Sequence, residues 1–334
     1  MSVYRSFFLN LLDKREKDMA ISAYSWDASA DGLKLAGLVS VPDTTGTAPR
    51  GVIQLVHGMC EHKERYIALM EFFSSHGLVC VIHDNRGHGA SVKSPDDLGY
   101  MYDGGWQAMV EDVRVVNDWI HEQYPDLKVI LYGHSMGSMI VRSFIKKYDG
   151  RISALLVSGC PVDNPAKGAG KAIAWCFGRR KGWHYRPKLL QKMSFGAYSK
   201  PFADEGPMAW VCSDPETLKS YYEDPLCQYV FTANGFYNLL GLMQDCYSHK
   251  GWGVKNPSMH IHFMSGEQDP CRGSDSQFRK AVRLLPEVGY HNVTAQVYPH
   301  MRHEIHNETQ RDRVWSDLLT FIDNTLDPLN LHNA

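Results

Sequence analysis

Short apolar runs of four to seven positions recur along this chain, and Gly, Pro and Asp residues separate them. Several of the runs consist almost wholly of aliphatic and β-branched residues, which is typical of strands buried on both faces of a parallel sheet. The pattern predicts an early antiparallel strand at 35–41. Further strands are predicted at 52–56, 78–83, 129–132, 154–158, 260–264 and 294–298.

Segments with helical periodicity lie between these runs. In the clearest one, at 106–123, an apolar stripe at every third or fourth position leads from Met109 to Ile120. Another helix is predicted at 136–148. Because strands and helices alternate along the chain, the sequence predicts an α/β fold with a doubly wound, mostly parallel sheet.

The alternation is interrupted between 161 and 257. This stretch is rich in Trp, Tyr, Phe, Met and Gly, and no buried strand can be recognised in it. An insertion of this length between two strands of a sheet predicts a helical cap, or lid, over one face of the core. The sequence therefore divides into an α/β core at 1–160 and 258–330 and a helical cap at 161–257.

Composition and net charge indicate which class of protein this sequence encodes. A hydrophobic share of 44% in 334 residues is typical of a globular protein with a full core, and a net charge of -2 gives no indication of nucleic-acid binding. The eight cysteines include no Cys-x-x-Cys pair, so neither a metal site nor a thioredoxin-like motif is predicted. Reduced thiols in a cytoplasmic protein without an obligate protein partner are expected.

The sequence contains no apolar run that reaches the length of about 18 residues needed to cross a membrane. A short apolar stretch at 7–12 is followed at once by charged residues, and it predicts an amphipathic N-terminal helix rather than a signal peptide. Weak binding of that helix to a membrane interface is an open alternative. The tail after Leu326 is expected to fray.

One serine stands in a context typical of a catalytic nucleophile. The pentapeptide Gly-His-Ser-Met-Gly at 133–137 directly follows the apolar run 129–132 and leads into a predicted helix. A sharp strand-to-helix turn pushes the hydroxyl of Ser135 out of the sheet, and the flanking glycines permit the close backbone contacts of such a turn. A hydroxyl is a weak nucleophile without a base, so the prediction requires a partner histidine.

Two further residues supply the expected partners of Ser135. Asp269 follows a predicted core strand and His303 follows the last predicted strand, which places both at the same edge of the sheet as the serine. The order Ser, Asp, His along the chain is the one found in α/β-hydrolases. Imidazole can take and return the serine proton, and the carboxylate fixes the imidazole tautomer. Spacing alone leaves His300 and His306 as alternatives to His303.

Backbone N–H groups are expected to form an oxyanion hole beside the serine. One predicted donor is Met136, the residue after Ser135, and the other is Met59 in the loop His-Gly-Met-Cys-Glu-His at 57–62. Each such donor typically contributes about 2.7–4 kcal/mol of transition-state stabilisation. Since both are main-chain groups, replacing the side chains tests them poorly.

Five sequence blocks resemble those of the monoacylglycerol lipase and lysophospholipase-like serine hydrolases of the α/β-hydrolase superfamily. They are His-Gly-Met-Cys-Glu-His at 57–62 with Arg65-Tyr66, Asp-Asn-Arg-Gly-His-Gly-Ala-Ser at 84–91, the pentapeptide at 133–137, Gly-Glu-Gln-Asp at 266–269 and His-Met-Arg-His-Glu at 300–304. In the last block the histidine of the family falls on His303. The resemblance implies hydrolysis of a carboxylic ester with one long acyl chain through an acyl-serine, without a metal or an organic cofactor.

The resemblance leaves other activities open, because the wider family also includes general esterases and peptidases. A short-chain esterase or an aminopeptidase would use the same triad, and an aminopeptidase would need an acidic cap residue to bind a free amine. The acidic cap residues that could do so are Asp204, Glu205, Asp214, Glu216, Glu223 and Asp224. A non-enzymatic ligand receptor is a further alternative, whereas the serine at position 135 disfavours an epoxide hydrolase, which carries aspartate there.

The first part of the cap is strongly basic. Residues 167–200 include nine Lys or Arg and no Asp or Glu, with aromatic residues between them. One interpretation is a solvated cationic face over packed aromatic side chains. The other is a lid that rests on anionic lipid or steers a phosphate-bearing substrate, with 172–177 at its lipid-facing edge. The expected partner is thus a small lipid or ester substrate, with a peripheral membrane contact as an additional prediction.

Overall fold

A single sheet of eight strands runs through the described residues, 21–43 and 48–327, of this computed structural model. The strands are β1 Ile21–Asp27, β2 Lys34–Ser40, β3 Gly51–Val56, β4 Leu78–His83, β5 Val129–His134, β6 Ala154–Ser158, β7 His260–Gly266 and β8 Asn292–Tyr298. Their order across the sheet is β1-β2-β4-β3-β5-β6-β7-β8. β2 is antiparallel to both of its neighbours, and all other neighbouring strands are parallel.

All seven predicted strands are present, with bounds that differ from the predicted ones by at most two residues. β1 is the strand that the apolar pattern does not predict. It lies at the edge of the sheet, where most of its side chains are exposed and need not be apolar. The predicted helix at 7–12 and the tail from 328 onward lie outside the described residues.

Helices cover both faces of the sheet. The described part of the chain contains α1 Ile67–Ser75, α2 Gly105–Gln123, α3 Met136–Tyr148, α4 Lys167–Lys181, α5 Lys188–Phe195, α6 Pro215–Glu223, α7 Ala233–Cys246, α8 Asp275–Glu287 and α9 Arg311–Leu326. Residues of α2, α3 and α8 form one hydrophobic core with the sheet, and residues of α1 and α9 form the other. In β3, Val52 and Val56 belong to the first core and Ile53 and Leu55 to the second. The predicted doubly wound α/β fold is therefore confirmed.

Helices α4 to α7 occupy the connection between β6 and β7, and this connection contains no strand. α7 lies against the core helices α2 and α3, and α4 lies against α7. Side chains from this connection and Ser135 line the same pocket, so the connection covers the edge of the sheet at which β5 ends. Among the described helices, none is both long and apolar enough to span a membrane.

Candidate active site

Ser135 lies on the sharp turn between β5 and α3. Its backbone has φ 54° and ψ -119°, in the left-handed region that residues other than glycine rarely adopt. Such a conformation costs about 1–3 kcal/mol and persists only where the surrounding structure imposes it. Here the N–H of Ser135 donates to the carbonyl of Ser158 on β6 at 2.9 Å, which ties the turn to the neighbouring strand.

The two glycines of the pentapeptide are required by close backbone contacts. A Cβ atom at Gly133 would lie 2.6 Å from the carbonyl oxygen of Gly137, and one at Gly137 would lie 2.2 Å from the carbonyl oxygen of Val56. Because real Cβ atoms essentially never come this close to backbone, any larger residue would push α3 away from the sheet. The glycines therefore set how near the start of α3 lies to the end of β3.

The structure brings Ser135, His303 and Asp269 together in one hydrogen-bonded line. The Nε2 atom of His303 lies 2.8 Å from the hydroxyl oxygen of Ser135, and its Nδ1 atom lies 2.9 Å from Oδ2 of Asp269. His303 and Asp269 are buried, whereas Ser135 is partly exposed toward a pocket. This is the arrangement needed for a histidine that takes a proton from a serine and is held by a carboxylate.

Further hydrogen bonds fix the orientation of Asp269. Its Oδ1 accepts from the backbone N–H of Cys271 at 2.8 Å, and its Oδ2 accepts from the hydroxyl of Ser265 at 3.1 Å as well as from His303. A carboxylate with this many donors is held in one rotamer and remains a good acceptor. These bonds direct Oδ2 of Asp269 toward the ring of His303.

The alternative histidines lie elsewhere. The side chain of His300 is 87% exposed and lies near Glu267, away from the serine. His306 is buried, where its ring stacks on Tyr66 and its Nδ1 lies 3.3 Å from the hydroxyl of Tyr132. His303 is therefore the histidine of this segment that faces Ser135.

Opposing effects act on the pKa of His303. Burial favours the neutral ring and lowers the pKa, but the negative charge of Asp269 and its hydrogen bond outweigh burial and raise the pKa well above its ordinary value. The carboxylate thus stabilises the imidazolium that would form when the ring takes a proton.

The two predicted oxyanion donors border the space in front of Ser135. Met59 and Met136 both line the pocket at the serine. Met136 is the first residue of α3, so its N–H has no partner within the helix. Within the described part of the chain, the N–H of Met59 donates to no protein acceptor. Both groups are consequently available to an oxygen atom bound beside Ser135.

Buried polar groups support the loop that carries Met59. The N–H of Gly58 donates to the carboxylate of Glu61, and the side-chain amide of Asn85 donates to the carbonyl of His57 at 2.8 Å. Cys60, the residue after Met59, has φ 54°, which again lies in the left-handed region. The loop is therefore held in a strained conformation by its own Glu61 and by Asn85, which lies beyond the end of β4.

A buried charge cluster that the sequence analysis did not assign lies next to this loop. The guanidinium of Arg65 contacts the carboxylate of Glu304 at 2.5 Å and lies 3.8 Å from the carboxylate of Glu61. Burial, with the nearby charge of Glu304, raises the pKa of Glu61 to about 7. Burial opposes ionisation of Glu304 too, but the charge of Arg65 lowers the pKa of Glu304. These residues lie in the sequence blocks at 57–66 and 300–304, and neither block by itself indicates that they are in contact.

A pocket opens in front of Ser135, and His303 lies at its wall beside the serine. Ligand sites are typically concave and mostly apolar, with a few polar groups that fix orientation. Apolar side chains from the core and from the connection between β6 and β7 form much of its wall. Examples are Met136, Met139, Phe195, Leu239, Leu240 and Met243.

Comparison with known proteins identifies the family. A family model described as serine aminopeptidase, S33, matches residues 47–310, which is most of the chain. The chain belongs to this family. A monoacylglycerol lipase of Mycolicibacterium smegmatis is 29% identical to this S33 family member, and the match covers 88% of the present chain and 95% of the lipase.

Solved structures agree with this assignment. A thermostable carboxyl esterase from Bacillus coagulans, in complex with glycerol, superposes on this S33 family member with a TM-score of 0.83 at 26% identity, covering 92% of the present chain and 99% of the esterase. A soluble variant of monoglyceride lipase from Saccharomyces cerevisiae has a TM-score of 0.69 at 18% identity, covering 92% and 96%, and supports the fold alone. The predicted resemblance to monoacylglycerol lipases and the predicted enzyme class, a serine hydrolase, are confirmed.

Two groups of three side chains in the described residues of this S33 family member could hold a metal ion. The first is Asp269, Cys271 and His303, whose ligand atoms lie within 4.8 Å of one another. Two of its members are already bonded to each other, and His303 also contacts Ser135, so an ion there would break the line described above. The second group, His62, Asp224 and Cys227, lies outside this line.

Proposed function

We propose that this S33 family member hydrolyses esters that carry one long acyl chain and a small hydroxylated head group, with a monoacylglycerol as the first candidate and a lysophospholipid as the second. The observation that carries the proposal is the Ser135–His303–Asp269 line at the wall of a largely apolar pocket. The match to a monoacylglycerol lipase along most of both chains supports the same substrate class.

In the proposed acylation step, the hydroxyl of Ser135 attacks the ester carbonyl while its proton moves to Nε2 of His303. The N–H groups of Met59 and Met136 hold the oxyanion that forms on the former carbonyl oxygen. The bond to the alcohol then breaks, and His303 returns the proton to the departing alcohol oxygen. This leaves the acyl group on Ser135.

In the proposed deacylation step, water takes the place of the departed alcohol. His303 removes a proton from the water, and the resulting nucleophile attacks the acyl carbonyl. The same N–H groups hold the second oxyanion. The proton on His303 then returns to the oxygen of Ser135 as the fatty acid leaves, which restores the starting state without any cofactor.

The pocket suits an acyl chain with a polar end. Leu239, Leu240 and Met243 of α7 supply apolar contacts for methylene groups, each of which contributes about 0.8 kcal/mol on burial. The same pocket contains Glu61, whose Oε2 is buried and forms no hydrogen bond within the described part of the chain. With its pKa raised to about 7 by burial, this carboxyl can accept from or donate to a hydroxyl of a head group.

The acidic residues that the aminopeptidase alternative requires lie outside the pocket. None of the six acidic residues considered for that role lines the pocket, and Glu205 and Asp214, for example, are bonded to Arg302 and Thr217. The carboxylates that do line the pocket are Glu61 and Glu304, and both belong to the Arg65 cluster. The interior therefore favours a neutral hydroxylated head group.

The test of this function is a comparison of initial hydrolysis rates. The substrates are monoacylglycerols of increasing chain length, matching lysophospholipids, p-nitrophenyl esters from C2 to C16 and amino-acid amides. Ser135→Ala should abolish turnover, whereas the control Ser143→Ala should retain it, because the Ser143 hydroxyl is buried and has no partner within the described residues. A Ser135-dependent optimum at short esters or at amides would refute the proposed substrate class.

We also propose that residues 161–257 act as a lid that docks on an anionic lipid surface. On α5, Leu189 and Met193 stand one turn apart with 55% and 60% of their surface exposed, while Leu190 faces inward. Lys188 and Lys192 are exposed beside them. Apolar and basic side chains on one short helix form the pattern of an interfacial contact.

Vesicle binding tests the docking surface. Vesicles that contain anionic lipid should bind the protein, neutral vesicles should bind it more weakly, and salt should release it. Leu189→Ser with Met193→Ser should weaken binding and leave hydrolysis of a dispersed short ester unchanged. The matched control, Tyr24→Ser with Val297→Ser, removes exposed apolar side chains from the two edge strands and should bind normally. Equal binding by both double variants would refute the docking surface.

A further inference from the structure

A second cluster of metal-ligating side chains lies outside the proposed catalytic line. His62 belongs to the loop after β3, while Asp224 and Cys227 follow α6 in the connection above the sheet. One ligand atom from each of the three lies within 4.8 Å of the other two. His62 and Cys227 are buried, and the Asp224 side chain is 27% exposed, which gives the cluster a route to solvent.

We propose that His62, Asp224 and Cys227 form a binding site for a zinc-class divalent cation. The three offer one imidazole nitrogen, one carboxylate oxygen and one sulfur, a ligand set that Zn²⁺ accepts in proteins with water in the fourth position. At zinc–ligand distances of about 2.0–2.3 Å, neighbouring ligand atoms in a tetrahedral site lie about 3.3–3.6 Å apart. Small side-chain shifts would therefore bring the cluster to the required separation.

The hydrogen bonds of His62 suit this role. Its Nε2 faces Oδ2 of Asp224 at 2.7 Å, and its Nδ1 faces Oε2 of Glu64 at 2.6 Å. In metal sites, a ligating histidine usually donates its other N–H to a carboxylate, which fixes the tautomer and orients the ring. Glu64 already occupies that position, so Nε2 is the nitrogen directed at the site.

The chemistry of the three ligands also suits a divalent cation. Asp224 contributes a carboxylate oxygen, and the carboxylate of Glu64 lies on the far side of the His62 ring. A thiol must lose its proton to bind a metal ion, so binding of Zn²⁺ should release protons and should weaken at low pH.

The position of the site gives it a structural consequence. His62 lies three residues after Met59, in the loop that carries the proposed oxyanion donor, whereas Asp224 and Cys227 belong to the connection that covers the pocket. A bound ion would join the loop and the connection by three bonds to one atom. Binding to the folded state alone would raise the thermal midpoint of unfolding.

The experiment uses the full-length reduced protein, and its first part is calorimetric titration with Zn²⁺ in two buffers of different ionisation enthalpy. One equivalent should bind, with release of protons at neutral pH, because the thiol of Cys227 must be deprotonated to bind the ion. Glu64→Gln should weaken binding by about 10- to 100-fold, because the histidine loses its orienting carboxylate. No binding, or binding without proton release, would overturn the proposal.

The second part locates the ion with Cd²⁺, whose bond to a thiolate gives an ultraviolet charge-transfer band. The band should disappear in Cys227→Ser and remain in Cys176→Ser, an exposed cysteine, and in Cys271→Ser, the cysteine of the other candidate group. A band that depends on Cys271 or Cys176 would overturn the assignment. If Cys227→Ser unfolds, the zinc affinity of Asp224→Asn is measured instead. An affinity equal to that of the unaltered protein would refute the proposed site.

Discussion

Replacing Asp269 by asparagine tests the proposed triad most directly, because the structure dictates how the new amide must orient. Oδ1 of Asp269 accepts from the backbone N–H of Cys271, and Oδ2 accepts from His303. An asparagine keeps a single oxygen, and the buried N–H of Cys271 can only donate, so that N–H takes the oxygen. The amide NH₂ then faces His303, while the hydroxyl of Ser265 can rotate to suit either group.

An amide donor opposite Nδ1 of His303 requires that Nδ1 become an acceptor. The proton of the neutral ring then lies on Nε2, which faces Ser135 and can no longer take the serine proton. In a serine triad this tautomer lowers kcat by about 10⁴, equivalent to about 5.4 kcal/mol in the barrier. The fold should be retained, because the change adds no volume and keeps the bond to Cys271.

The assay is the steady-state rate on a p-nitrophenyl ester and on a monoacylglycerol, with thermal unfolding as the check on folding. Asp275→Asn is the matched control, because Asp275 lies six residues further along the chain, has an exposed side chain and, among the residues that the structure describes, forms its ion pair with Arg272 alone. A loss in kcat of less than about tenfold in a folded Asp269→Asn protein would refute the proposal that Asp269 sets the tautomer of His303 for catalysis.

Three further predictions concern the same scaffold. Gly137→Ala should lower kcat and cost about 1–3 kcal/mol of stability, because its Cβ would lie 2.2 Å from a backbone oxygen. In the control Gly150→Ala, no atom lies within 4 Å of the new Cβ, so neither the rate nor the free energy of unfolding in urea should change. Arg86→Met should cost about 3–5 kcal/mol in urea unfolding, because it leaves the buried carboxylate of Asp112 without its two bonds from the guanidinium; a loss below 1 kcal/mol would contradict this. In the unaltered enzyme, kcat/KM should rise as pH passes through the raised pKa of His303, because the ring must be neutral to act as a base. In Asp269→Asn, this rise should occur at lower pH. A rise at the same pH in both proteins would assign the titration to another group.

The sheet could be predicted from the sequence because burial on both faces leaves a strong pattern. Every residue of β3, β4 and β5 is buried, and their apolar runs are nearly continuous. β1 lies at the edge of the sheet, where its side chains need not be apolar, and most of them are exposed. The apolar pattern thus records burial rather than strand formation, which is why it identifies central strands and misses an edge strand.

The candidate site could be anticipated for a different reason. Ser135, Asp269 and His303 each follow a parallel strand, so the fold itself brings them to one edge of the sheet. Spacing could not separate His303 from His300 and His306, because all three follow β8 within one irregular segment. Only the family block, and then the 2.8 Å contact with the serine, distinguishes them.

The insertion at 161–257 predicts a helical cap, but the bounds of the individual helices between β6 and β7 could not be read from the sequence. α5 exposes Leu189 and Met193 and buries only Leu190, so its apolar positions do not mark one inward face. The contact between Arg65 and Glu304 could not be predicted from the sequence either, because 239 positions separate the two residues along the chain. Long-range ion pairs of this kind leave no periodic trace in a single sequence, and three-dimensional coordinates are needed to find them.

The buried charges around the loop after β3 make physical sense only if that loop must be rigid. Asp84, fully buried at the end of β4, accepts from both the backbone N–H and the ammonium group of Lys63 at 2.8 Å. Burial opposes its ionisation, yet Lys63 and His57 lower the pKa of Asp84 to about 2. Apolar packing could hold the loop at lower cost in desolvation, but it would not fix the direction of a backbone N–H. Stabilisation of an oxyanion depends on donors that are oriented before the charge forms, so the bonds to the neighbouring Gly58 and Lys63 support the proposed role of the Met59 N–H.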